Sequence, residues 1–133
     1  AANLGIADKV FFTGFLRGDE LEEVYRVADL LVMPSVSEPF GIVPLEAMIR
    51  GTPVIISKQS GVSEVVRHAL KIDFWDVEEM AEKMLALLVY PALCETMREE
   101  GLKEGNTITW AAAARKCLAI YKNLLTESEV CIA

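Results

Sequence analysis

Two carboxylates, Glu38 and Glu46, lie on either side of a predicted helix start, with seven residues between them. Glu38 precedes the helix and is followed by Pro39, which restricts the backbone there. A carboxylate in this place can accept hydrogen bonds from sugar hydroxyls or stabilise positive charge that develops at an anomeric carbon. Glu46 lies about one turn into the helix, where its carboxylate can accept from two neutral hydroxyls such as those of a ribose.

The backbone between the two acids offers amides to an anion. If the helix begins at Gly41 or Ile42, the amides of Phe40, Gly41 and Ile42 have no acceptor within the helix. Gly41 has no Cβ, so an anion can approach the backbone closely, and the helix dipole favours negative charge there. The segment therefore predicts a phosphate site that needs no basic side chain.

Each acid taken alone has a simpler interpretation. A glutamate at a helix start is commonly a favourable partner of the helix dipole, and a glutamate within a surface helix is usually solvated. The combination of two acids, a glycine and unbonded amides after a buried strand is a stronger signal. The functional hypothesis therefore depends on the whole group.

The elements that position this segment alternate between strands and helices. Apolar runs bounded by turn residues predict short buried strands, and apolar residues at helical spacing predict helices. The predicted strands are 9–13, 29–33, 53–56 and 70–73, and the predicted helices are 19–28, 42–50, 63–68, 76–88, 92–103 and 109–125. This alternation predicts a doubly wound, parallel α/β sheet with helices at its C-terminal end. Ligands of such sheets bind beyond the carboxyl ends of the strands. We therefore expect the ligand site at the loops that follow Thr13, Met33 and Ile56.

Several helix ends carry specific capping signals. Asp19, with Glu22 three residues later, predicts an N-cap, and Thr109 predicts another. Gly51 after the 42–50 helix predicts a left-handed C-cap.

The composition predicts one compact domain and excludes some partners. The chain has 133 residues, of which 53% are hydrophobic and 25% charged. Its net charge of −7 provides no long-range attraction for nucleic acid or an anionic membrane. No segment approaches the ~20 apolar residues of a membrane span, and membrane association through an upstream region is left open. The chain has three cysteines, which show no CxxC spacing; they are Cys94, Cys117 and Cys131. An odd number without such spacing favours a reducing cytoplasm over a disulfide framework.

Residues 35–57 resemble the donor-site signature of the family-4 retaining glycosyltransferases, which have the GT-B fold and form part of the glycosyl transferases group 1. The resemblance is carried by the sequences EPFGI, LEAM and GTPVI at 38–42, 45–48 and 51–55. It extends in the family's order to 10–15, 25–29, 61–66 and 110–121, so it covers nearly the whole chain.

The resemblance implies that residues 1–133 form a single, partial domain. This is the Rossmann-like, C-terminal donor-binding domain of a GT-B fold, without the N-terminal acceptor domain and the first strands. The implied reaction transfers a glycosyl unit from a nucleoside-diphosphate sugar to a carbohydrate or other hydroxyl acceptor, with retention and without metal or cofactor. The context of residues 74–76 is similar to that of bacterial glycogen synthases and predicts an α-glucan acceptor.

The resemblance also assigns roles to individual residues. Glu38 is implied to lie beside the transferred sugar as the catalytic residue. The amides of Phe40, Gly41 and Ile42 are implied to contact the diphosphate and the sugar, and Glu46 is implied to bind the ribose. Gly14, Phe15 and Leu16 are implied to border the base. Ser60 and Gly61 are implied to flank the sugar pocket.

The chain departs from the family's pattern in its first part. The family has two further strands at the start of its C-terminal domain, which lie between the 9–13 and 29–33 strands in the sheet. Neither these strands nor the arginine and lysine that follow the first of them are found here. The fragment is therefore expected to be inactive alone. We expect the sheet to close by direct pairing of the 9–13 and 29–33 strands, or by strand exchange in a homo-oligomer. Two alternatives stay open, namely a non-catalytic nucleotide-binding or assembly module of GT-B type and a sugar-nucleotide epimerase.

Overall fold

The structure is a computed structural model that describes the backbone of residues 1–130 and the side chains of residues 1–125. Three strands form a parallel sheet in chain order, namely β1 (Leu31–Met33), β2 (Val54–Ser57) and β3 (Leu70–Ile72). Leu31 pairs with Val54, and Ile55 pairs with Leu70. These strands confirm the predicted 29–33, 53–56 and 70–73 segments; β1 and β3 are shorter than predicted, and β2 is shifted by one residue.

Helices connect the strands and complete the C-terminal part. The α-helices are α1 (Asp19–Val27), α2 (Val43–Met48), α3 (Val77–Val89), α4 (Pro91–Gly105) and α5 (Trp110–Val130). Short 3₁₀ helices cover Ala2–Leu4, Ala7–Lys9 and Gly61–Glu64. The last of these replaces the helix predicted at 63–68. Within residues 1–130 no helix has the length and apolar character to cross a membrane.

The sheet separates two hydrophobic clusters, because successive side chains of a strand point to opposite faces. One cluster contains Tyr25 of α1, Ala47 and Met48 of α2, Val54 and Ile56 of β2, and Val62, Val66 and Ala69. The other contains Ile55 of β2, Ile72 of β3, Leu87 of α3 and Met97 of α4. Helices therefore cover both faces, and the predicted doubly wound α/β class is confirmed. β1 is only half-buried, unlike the buried strand expected, because it forms an edge of this sheet.

The strand predicted at 9–13 is wrong. Val10 has extended dihedral angles, but Phe11 and Phe12 are 83% and 96% exposed. No strand within residues 1–130 pairs with this segment. An extended backbone becomes a strand only when a neighbour completes its hydrogen-bond ladder. The expected direct pairing with β1 is wrong as well, whereas strand exchange between chains stays a prediction.

The predicted helix caps are confirmed in two of three cases. Gly51 has φ of 77°, and the amides of Gly51 and Thr52 donate to carbonyls of the last turn of α2. Thr109 Oγ1 accepts from the amide of Ala112 at 3.1 Å. Asp19 is instead the first helical residue, because Gly18 takes the N-cap position with φ of 55°.

The cysteines form no disulfide in the part of the chain that the structure describes. Cys94 is half-buried and Cys117 exposed, and both are free thiols. Cys131 lies outside the described residues.

Close packing between α4 and α2 depends on Gly105. A Cβ there would lie 2.9 Å from Ile49 Cγ2 and 3.3 Å from Met48 Cβ. We expect Gly105→Ala to lower the free energy of unfolding by about 1–3 kcal/mol, because overpacking displaces α2. Urea denaturation measures this change.

Gly101→Ala is the matched control on the same helix. Its added Cβ would meet atoms only at 3.7 Å or beyond. Because alanine is the better helix former, this variant should gain up to about 1 kcal/mol. Equal effects of the two substitutions would contradict a specific α2–α4 contact at Gly105.

Candidate functional site

The loop after β1 is held against the turn after β2 by backbone hydrogen bonds. The amide of Gly61 donates to the carbonyl of Glu38 at 2.9 Å, and the amide of Val62 donates to the carbonyl of Phe40 at 2.7 Å. Glu38 and Ser60 also form an isolated parallel bridge. The two segments therefore meet at the carboxyl edge of the sheet, where ligands of such folds bind.

Gly61 allows this close approach, and Gly41 allows a second one within the loop after β1. A Cβ on Gly61 would lie 2.1 Å from the carbonyl oxygen of Pro39, a backbone atom that cannot rotate away. Gly41 has φ of 88°, and a Cβ there would lie 3.0 Å from Cγ of Glu38. Gly61 therefore has a packing role that the resemblance did not imply, and the left-handed backbone of Gly41 favours glycine.

The serine hydroxyls at this edge bind backbone atoms. Ser57 Oγ donates to the carbonyl of Ser35, and Ser60 Oγ donates to the carbonyl of Ser57, both at 2.7 Å. Ser60 is only 1% exposed. Its hydroxyl is already used to close the turn, so its contribution to a sugar pocket stays a prediction.

The start of α2 presents unbonded amides, as predicted. α2 begins at Val43, and the amides of Phe40, Gly41 and Ile42 donate no hydrogen bond to an acceptor within the described chain. Because α2 has only six residues, an anion here would depend on these amides more than on a long helix dipole.

Glu38 belongs to the loop after β1 at this edge and is half-buried. Among the side chains of residues 1–125, none forms a hydrogen bond or ion pair with its carboxylate. Its oxygens are therefore available to a ligand at the same edge as the unbonded amides.

Glu46 is held in a network that links α2 to α1. The Tyr25 hydroxyl donates to Glu46 Oε2 at 3.1 Å, and Arg50 Nη1 donates to the Glu46 carbonyl at 2.9 Å. Arg50 Nη2 forms an ion pair with Glu22 Oε1 at 2.8 Å. The Glu22 carboxylate therefore pairs with Arg50 and does not take part in the N-cap predicted with Asp19. Arg50 Nε is buried without an acceptor among the residues that the structure describes.

Neither Tyr25 nor Arg50 is among the site residues predicted from the sequence. A tyrosine at a buried helical position carries one signal that a leucine does not, because its hydroxyl needs a partner. Burial raises the pKa of Tyr25, and the hydrogen bond and charge of Glu46 raise it further. The hydroxyl is therefore a stable donor to the carboxylate.

A pocket of about 400 Å³ lies between α2 and the start of α5. Its lining is mostly apolar and includes Phe40, Ile42 and Glu46 on one side, with Ile108 and Trp110 on the other. The predicted residues at the strand ends lie outside this lining; they are Glu38, Gly41, Ser60 and Gly61. The unbonded amides lie at the strand ends, with the pocket beside them, so the anion site predicted there stays a prediction.

Gly14, Phe15 and Leu16 lie on a separate, largely exposed segment before α1. Phe15 is 81% exposed, and its ring contacts the Arg17 guanidinium at 4.6 Å. Within residues 1–130 no hydrogen bond joins residues 10–17 to the sheet or to α2. The structure does not bring these residues to the strand ends, so their contact with a base stays a prediction.

No metal centre is formed by the described residues. Within residues 1–130 no group of three or more His, Cys, Asp or Glu is arranged to hold a metal ion. The nearby Lys58 Nζ forms an ion pair with Asp73 at 2.8 Å. Metal independence stays a prediction, and so does binding of an anion by the unbonded backbone amides.

The fold is the Rossmann-like class in the form of the C-terminal domain of GT-B proteins. Residues 1–104 match the family model described as glycosyl transferases group 1, and the chain belongs to this family.

Two curated relatives are much longer than this chain. Mannosylfructose-phosphate synthase of Agrobacterium fabrum is 34% identical over 90% of this chain and 27% of its own length. D-inositol 3-phosphate glycosyltransferase of Segniliparus rotundus is 34% identical over 94% of this chain and 28% of its own length. The chain therefore spans less than a third of these curated relatives.

Solved structures show the same fold. Sucrose-phosphate synthase from Thermosynechococcus elongatus aligns with a TM-score of 0.80 and 30% identity, over 95% of this chain and 33% of that chain. Anabaena Alr3699/HepE in complex with UDP-glucose aligns with a TM-score of 0.79 and 22% identity, over 92% of this chain and 34% of that chain.

Gly61→Ala tests the contact between the two loops. We expect a loss of about 3 kcal/mol or more in the free energy of unfolding, because the new methyl group would overlap the Pro39 carbonyl. Thermal and urea unfolding measure this change.

Ser60→Ala is the control in the same turn. It removes one hydrogen bond but adds no atom, so a loss of about 1 kcal/mol is expected. If Gly61→Ala were no more harmful than this control, the close contact would be refuted.

Proposed function

We propose that this chain is the donor-binding part of an enzyme that transfers a glycosyl unit from a nucleoside-diphosphate sugar to a hydroxyl acceptor with retention. One observation carries the proposal. The unbonded amides of Gly41 and Ile42 lie at the start of α2, and Glu46 follows on that helix. An anion site next to a carboxylate suits a ligand that joins a diphosphate to a ribose.

In this proposal, different groups of the site stabilise the two charges that develop during transfer. The bond between the anomeric carbon and the diphosphate oxygen breaks, a bond from that carbon to the acceptor oxygen forms, and the released diphosphate takes up the proton of the acceptor hydroxyl. Negative charge that develops on the diphosphate is stabilised by the amides at the start of α2. Positive charge at the anomeric carbon is stabilised by the Glu38 carboxylate, which no described side chain engages.

Glu46 binds the ribose in this proposal. Its charge would repel a diphosphate, whereas neutral hydroxyls can donate to it. The UDP-glucose bound to the Anabaena protein of similar fold supports a nucleoside-diphosphate sugar as the donor.

The acceptor is an open part of the proposal. The relatives described above are named for phosphorylated sugars or inositol phosphate, and none of those is named for glycogen. We propose an acceptor that is a carbohydrate with a free hydroxyl group. The α-glucan acceptor stays a prediction. Binding of the donor by this chain, without transfer, and a cytoplasmic location belong to the same proposal.

A calorimetric titration of the chain with UDP, ADP, GDP and their glucose or mannose conjugates tests the proposal. We expect one nucleotide series to bind, and Glu46→Ala to weaken that binding about tenfold or more, because the ribose hydroxyls lose their acceptor.

Glu95→Ala is the control, since Glu95 is exposed on α4. It removes the same charge from the chain and should leave the affinity unchanged. Absence of binding by every nucleotide to the folded chain would overturn the donor site. Binding that Glu46→Ala leaves intact would overturn the assignment of Glu46 to the ribose.

A further inference from the structure

The Tyr25 side chain fixes one of the two oxygens of Glu46. Its hydroxyl donates to Glu46 Oε2 at 3.1 Å, while Oε1 accepts no hydrogen bond among the described residues. The terminal torsion of a glutamate is broad, so an unsupported carboxylate rotates freely about its last bond. A donor on one oxygen restricts that rotation and presents the other oxygen in a defined direction.

Tyr25 is itself well supported at both ends. The residue is only 6% exposed, and its backbone carbonyl accepts a hydrogen bond from Thr52 Oγ1. The Arg50 guanidinium lies 5.7 Å from the centroid of its ring and is fixed by the ion pair with Glu22. A tyrosine held in this way transmits the position of α1 to the Glu46 carboxylate.

Arg50 contributes to the same arrangement from α2. Its Nη1 donates to the carbonyl of Glu46, one turn earlier on the chain. Both the backbone and one carboxylate oxygen of Glu46 are therefore tied to neighbours. The remaining oxygen is the part of this residue that a ligand can engage.

We propose that Tyr25 is a positioning residue of the donor site, which holds Glu46 Oε2 so that Oε1 receives the ribose hydroxyls. This inference rests on the proposed function, because it requires Glu46 to bind a ribose. It goes beyond that function, because it assigns recognition of the ribose to α1 as well as to α2. Tyr25 does not touch the ligand itself.

Tyr25→Phe is the variant that isolates the hydroxyl. The ring stays in the core beside Arg50, and only the donor to Glu46 is lost. The variant is titrated with the nucleoside diphosphate that binds the chain most tightly, with its 2′,3′-dideoxy analogue and with inorganic pyrophosphate. Tyr121→Phe, at an exposed position on α5, is the control.

Tyr25→Phe should weaken binding of the ribonucleotide about threefold to tenfold, because the carboxylate must now be ordered when the ligand binds. Its affinities for the dideoxy analogue and for pyrophosphate should stay at the wild-type values, since neither compound carries the ribose hydroxyls. Tyr121→Phe should match the wild type with all three ligands. In a Glu46→Ala background, Tyr25→Phe should have no further effect.

Each other outcome overturns the inference. If Tyr25→Phe weakened all three ligands equally, its role would be to stabilise the fold and not to orient Glu46. If it kept the full preference for the ribonucleotide, Glu46 would need no positioning by Tyr25. If the wild type itself showed no preference for the ribonucleotide, the assignment of Glu46 to the ribose would fail, and the inference with it.

Discussion

The candidate site depends on a contact between two backbones, that of Gly61 and that of the loop 38–40. Two hydrogen bonds hold these segments together, and Gly61 lies where any side chain would overlap the Pro39 carbonyl. The contact extends the pairing of β1 and β2 beyond the ends of the strands. It therefore places Glu38 and the start of α2 relative to the sheet without help from long side chains.

A site of this kind fits the charge of the chain. The net charge is −7, yet the proposed ligand carries a diphosphate. Lys58, which directly follows β2, is paired with Asp73. The groups that can attract the diphosphate are then the local backbone amides. The attraction between an amide dipole and a charge weakens with distance faster than the attraction between two full charges. Recognition at such a site is strong only for a ligand that already lies against the backbone.

Much of the fold was predictable because its signals are local. The apolar run of β2, the Gly51 cap and the periodicity of α3 each require only neighbouring residues to be recognised. The 9–13 segment was mispredicted because a strand also requires a partner, which its own residues cannot reveal. The site follows the same division. The unbonded amides were predictable from the helix start, whereas the Tyr25–Glu46 hydrogen bond joins residues 21 positions apart and needs the packing of α1 on α2.

The position of β2 in the sheet also has a consequence for how the protein unfolds. The residues of β2 alternate between the two hydrophobic clusters, so this strand contributes side chains to both of them. Removing the helices from one face would expose side chains of the strand that also supports the opposite face. The two layers should therefore lose their structure in one cooperative step. The β2 amides should exchange with solvent deuterium only through that global opening, whereas the exposed 10–17 segment exchanges without it.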